Sequence, residues 1–74
     1  MARKANNRIK AVLAEHGKSN NWLCEQLGKN RTTVSKWCTN HMQPTMETLF
    51  EIAEVLEVDV RELLVSTKKI NEFI

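Results

Sequence analysis

The sequence predicts an all-α domain of five short helices. Three observations carry that prediction. Apolar residues recur at three- and four-residue spacing in successive short segments. Each segment is bounded by Ser, Thr, Asn or Asp in front, or by Gly or Asn behind. Ala, Leu, Glu and Lys are plentiful, whereas only two Gly and one Pro occur in 74 residues, too few for a turn-rich β protein. The length allows one domain. Its core is small, so a partner subunit would add stability.

In the first helix, Ile9, Val12 and Leu13 form the inward stripe, and Gly17 supplies the left-handed residue that ends it. Ser19 caps the second helix, whose stripe is Leu23, Cys24 and Leu27, and Gly28 ends it. Asn30 caps the third, with Val34 and Trp37 turned inward. Asn40 stops this helix, because Asn tolerates positive φ better than most residues. After the loop His41–Pro44, Thr45 caps a fourth helix with Met46, Leu49, Ile52, Ala53 and Leu56 on one face. Asp59 opens a fifth, with Glu62 three residues on as in a capping box, and Val60, Leu63 and Leu64 as its apolar residues. The domain is expected over residues 1–66. The tail 67–74 carries Ile70, Phe73 and Ile74 and is a candidate dimerisation element; folding back on its own domain is a nearly equal alternative.

Charge is uneven along the chain. Residues 1–40 hold eight Lys/Arg and two Glu, a net of +6, while residues 41–74 hold three Lys/Arg and seven Asp/Glu, a net of −4. A basic half joined to an acidic half suits a surface that meets a polyanion. No apolar run is long enough for a signal peptide or a bilayer span, so a cytoplasmic protein with no membrane partner is expected. No nucleophile–His–carboxylate set and no glycine-rich phosphate loop occur, and the chain is too short to enclose a substrate; the protein reads as no enzyme. Cys24, Cys38, His16 and His41 lack the paired spacing of a zinc site. A disulfide is not expected in the cytosol. No cofactor, metal or small-molecule effector is implied. Cys38 has no role in this reading.

The second and third helices are joined by about three residues around Gly28, the spacing of a helix-turn-helix. At about 100° per residue, Val34 and Trp37 pointing inward leave Thr32, Ser35 and Lys36 outward, with Arg31 and Thr33 at the flanks. That face has a guanidinium, hydroxyls and an ammonium but no carboxylate. Arg and Lys can pair with guanine O6 and N7, and a Thr methyl can pack on a thymine methyl.

The segments "SNNWLCEQLGKNRTTVSKWCTN" and "QPTMETLFEIAEVLEVDVRELL" carry a resemblance to the lambda-repressor-like, Cro/repressor type of helix-turn-helix domain. It spans Arg8 to Ser66, and Leu23, Leu27, Gly28, Ser35, Pro44, Leu49 and Ile52 all fall in step with the family pattern. The resemblance implies a compact five-helix fold with the helix-turn-helix at helices 2 and 3. It places Arg31, Thr32 and Lys36 where the family reads base edges, with Thr33 and Ser35 beside them. Asn20 falls where a family Gln contacts phosphate and braces the recognition helix. Asn30 and the loop from Asn40 fall where the DNA backbone is gripped. Ser19, Asn20, Asn30 and Asn40 are therefore the candidate phosphate-positioning residues. Asn20 is shorter than the family Gln, Cys24 replaces the usual Ala, Cys38 a frequent Glu, and Asn40 a frequent Gly. The expectation is a bacterial or phage transcriptional regulator, a repressor, that binds an inverted-repeat site on double-stranded DNA as a homodimer. The rival is a protein-interaction or antitoxin-like module that keeps the fold.

Overall fold

The computed structural model describes residues 5–67. Four α-helices follow in order: α1, Ile9–Glu15; α2, Asn20–Leu27; α3, Arg31–Cys38; and α4, Met46–Leu56. A 3-10 helix, Val60–Leu63, closes the fold. Ile70, Phe73 and Ile74, expected to serve dimerisation, lie outside the described residues.

Local sequence accounts for most of the boundaries. The Ser19 hydroxyl accepts from Trp22 N, the Asn30 Oδ1 from Thr33 N, and the Thr45 hydroxyl from Thr48 N. Each cap satisfies a helix-start N–H that has no intrahelical partner. Gly28 ends α2 at φ 67°, a left-handed conformation that a Cβ disfavours. The third and fourth helices both stop at non-glycine residues with positive φ, Asn40 at 61° and Glu57 at 59°.

The expected fifth α-helix is instead one 3-10 turn of four residues. Two features shorten it. The Asp59 carboxylate accepts from Arg61 N, and Glu62 N donates to Asp59 O at 2.9 Å, which sets a tight three-residue repeat. Asp59 thus caps through Arg61, not through the expected reciprocal pair with Glu62. Leu64 is then drawn into an extended conformation, where it forms an antiparallel bridge with Asn7. Its side chain is exposed while that of Leu63 is fully buried.

The core is continuous. Ile9, Val12, Leu23, Val34, Ile52 and Leu63 are completely buried, one or two from each element. Trp37, expected inward, is buried with them. Met46 departs from the expected face of α4 and is 65% exposed. As the first helical residue it overhangs the loop ahead of Leu49, where the core contact of α4 begins.

Asn7 completes the framework. It is 4% exposed, the one buried polar residue described, and both its donors and its oxygen are engaged. Its Oδ1 accepts from Ile9 N and starts α1, while Nδ2 donates to Trp37 O at 3.0 Å and to Gln43 Oε1 at 2.7 Å. A buried amide so satisfied fixes the start of α1 against the end of α3.

Candidate nucleic-acid interface

The third helix presents one polar face outward. Arg31, Thr32, Ser35 and Lys36 are exposed, Thr33 is half-buried at the flank, and Val34 and Trp37 are buried. This is the arrangement the three-residue spacing of Val34 and Trp37 predicts. Arg31, Thr32, Ser35 and Lys36 line one open depression of about 470 Å³ together with Thr39 and His41. No carboxylate lines it. Guanidinium, ammonium and hydroxyl donors therefore converge on one surface where an anionic, acceptor-rich ligand meets no charge of its own sign.

Thr39 is not among the residues the sequence marks for this face, and the sequence offers His41 only as a metal ligand without the spacing for one. Thr39 continues the row Thr32, Ser35, Lys36 at helical spacing, and that was the available signal. Its hydroxyl donates to Ser35 O at 2.9 Å and lies 2.8 Å from His41 Nδ1. This local pair holds the imidazole beside the end of α3.

The four phosphate-positioning candidates divide into two kinds. Ser19 and Asn30 use their oxygens as caps, which leaves the Ser19 O–H and the Asn30 Nδ2 as donors. The Asn20 Oδ1 accepts from the Cys38 thiol at 3.4 Å and likewise leaves Nδ2. Asn40 differs. Its Oδ1 accepts from Asn6 N at 2.9 Å, Asn7 N at 3.0 Å and Gln43 Nε2 at 3.0 Å. Its Nδ2 donates to Asn7 O, and its backbone N–H donates to Trp37 O. The Oδ1 and one Nδ2 hydrogen of Asn40 thus fix the end of α3, while the second Nδ2 hydrogen has no partner among the described residues and remains a donor.

Basic residues extend the surface around this face. Lys18 precedes α2 and its Nζ sits 4.9 Å from the centroid of the half-buried Trp22 ring, within cation–π range. Lys29 and Lys10 are exposed. On the other half of the chain, Glu47, Glu51, Glu54 and Glu57 are exposed along α4 and its end.

Cys24 and Cys38 are both buried free thiols. Burial pushes the Cys38 thiol above its ordinary range; Lys10 opposes that shift and Cys24 adds to it. A thiol so held stays protonated at neutral pH and acts as a weak donor. Among the described residues no group of three His, Cys, Asp or Glu is placed to hold a metal ion, and no helix is long and apolar enough to cross a membrane.

Comparison with known proteins bears on this geometry. A family model described as "Helix-turn-helix" matches residues 9–63, from the first core residue of α1 to the last of the 3-10 turn. A crystal structure of a candidate DNA-binding protein from Bacteroides fragilis is 50% identical, with a TM-score of 0.80. That match covers 81% of this chain and 97% of the other. A transcriptional regulator from Listeria innocua shares the fold with a TM-score of 0.66 at 22% identity, over 92% of this chain and 68% of the other. No curated protein matches the sequence.

Proposed function

The chain belongs to the Cro/C1-type helix-turn-helix family, and on that premise we propose that it is a sequence-specific regulator of transcription, a repressor, that places α3 in the major groove of double-stranded DNA. The observation that carries the reading is the carboxylate-free face of Arg31, Thr32, Ser35 and Lys36 on a helix anchored from behind by Val34 and Trp37. The description of the Bacteroides fragilis relative as a DNA-binding protein supports it.

In this mechanism the basic half of the chain first meets the duplex through charge. Lys and Arg displace counterions from the phosphates and supply affinity without sequence preference. Ser19, Asn20, Asn30 and the remaining Nδ2 hydrogen of Asn40 then set register through neutral hydrogen bonds to phosphate oxygens. Arg31 and Lys36 donate to guanine edges, and Thr32, Thr33 and Ser35 add hydroxyl and methyl contacts. Asn40 keeps the end of α3 in place while these contacts form. The acidic residues of α4 stay on the far side of the complex, because phosphates would repel them.

Two copies on an inverted repeat would place their third helices one turn of DNA apart, about 34 Å. Selection of bound duplexes from a random pool tests the proposal. The expected product is an inverted repeat with half-site centres about 10 base pairs apart. A pool without enrichment over several rounds would overturn it.

A further inference from the structure

Cys38 closes α3 without belonging to its outward face, and among the described residues its side-chain hydrogen-bond partner is Asn20 on a different helix. We propose that Cys38 is a positioning residue for DNA binding: its thiol holds the Asn20 amide so that Nδ2 faces a backbone phosphate. The inference rests on the DNA-binding reading above and deepens it.

Asn20 is the first residue of α2 and half-buried, while Cys38 is the last of α3 and 7% exposed. The Cys38 Sγ lies 3.4 Å from Asn20 Oδ1, and the bond joins residues 18 apart in sequence. An amide is planar, with its oxygen and its NH2 on opposite sides of the same carbon. Engaging Oδ1 therefore sets the direction of Nδ2. No described protein group accepts from Nδ2, and no buried polar side-chain atom lacks a partner, so Nδ2 opens to solvent at the start of α2. The positive end of the helix dipole favours a phosphate there.

Asn has one methylene fewer than Gln, so its reach is short and its orientation matters more. The thiol meets two requirements at once. It fills a buried position like a small hydrophobe, and it offers one donor with no charge to desolvate. A thiolate could not donate; the raised thiol pKa that burial imposes keeps the proton in place. The same bond ties the start of α2 to the end of α3, so the phosphate contact and the pose of the reading helix are set together.

The test uses the full chain and a duplex enriched from a random pool, with each phosphate replaced in turn by a neutral methylphosphonate. In the wild type, replacing one phosphate per half-site is expected to weaken binding about ten- to 150-fold, the range for one hydrogen bond to a charged group. Cys38→Ser, which keeps a donor, is expected to retain that sensitivity. Cys38→Ala and Asn20→Ala are expected to lose it, to weaken binding to the unmodified duplex by a similar factor, and to show no further loss when combined. Wild-type sensitivity in Cys38→Ala would overturn the proposal, as would its loss in Cys38→Ser. Should Cys38→Ala fail to fold, Asn20→Ala and the side-chain amide relaxation of Asn20 in the free wild-type protein carry the test. That amide is expected to be more ordered than the amide of exposed Gln26, and equal mobility would overturn the proposal. Failure to enrich any duplex overturns the DNA reading itself and takes the inference with it, even where the Asn20 amide proves ordered.

Discussion

The third and fourth helices stop on the same backbone conformation but are held in different ways. Asn40 and Glu57 both take positive φ, near 60°, where an L side chain is strained by about 1–2 kcal/mol. At Asn40 the side chain offsets that strain through four hydrogen bonds to Asn6, Asn7 and Gln43. At Glu57 the side chain is exposed, and only the backbone closes the helix, through Glu57 N to Glu54 O and Val58 N to Ala53 O. One stop is a hub that ties the reading helix to the start of the chain. The other is a turn that tolerates a poor residue. The same left-handed position therefore says little about function until the side chain's partners are known.

Substitutions break the comparison in order of size. Asn40→Ala removes the four bonds and keeps the backbone strain, and we expect a loss of about 3 kcal/mol in urea denaturation. Asn40→Gly removes the bonds but relieves the strain, for an expected loss of about 2 kcal/mol. Glu57→Gly has only strain to relieve, and a gain of about 0.5–1 kcal/mol is expected. A glycine that helps at one stop and harms at the other would establish that Asn40 is a hub. Glycines with the same sign at both would refute it.

Acid separates the two ends more gently. The Asn40 hub contains only neutral amides. The turn that follows Glu57 contains Asp59, whose carboxyl is held below its ordinary value first by the Arg61 side-chain hydrogen bond, then by the Arg61 backbone N–H. The folded pKa lies below the unfolded one. Its contribution is therefore fully present above the ordinary carboxylate pKa of about 3.9 and is lost as pH falls through the lower folded value. Both groups are exposed, so the effect is small. Amide chemical shifts at Arg61 and Glu62 are expected to titrate below about pH 4, with those of Asn6 and Asn7 unmoved. Titration at Asn7 instead would show that the ends are coupled.

Much of this was legible in the sequence because it is local. The caps Ser19, Asn30 and Thr45 act on an N–H three residues away, and the inward stripe of each helix repeats within two turns. The outward face of α3 followed from Val34 and Trp37 alone. What escaped was decided by distant partners. Asn40 meets Asn6 and Asn7 across more than thirty residues, and no spacing rule announces that pairing. Cys38 gained meaning only when folding brought Asn20 to it. The fifth helix ends as a 3-10 turn at the point where Leu64 pairs with Asn7 from the other end of the chain. Glu57 carried no signal at all, since Glu is a poor residue for positive φ.

The central claim is that the outward face of α3 chooses bases. Its most direct test is the ratio of affinities for the enriched duplex and a scrambled duplex of the same length, at one salt concentration, in wild type, Arg31→Ala and Lys36→Ala. Each substitution is expected to lower that ratio by about 1–3 kcal/mol per lost base contact, while urea denaturation stays unchanged. A ratio that neither substitution alters, in proteins that remain folded and still bind, would contradict the account.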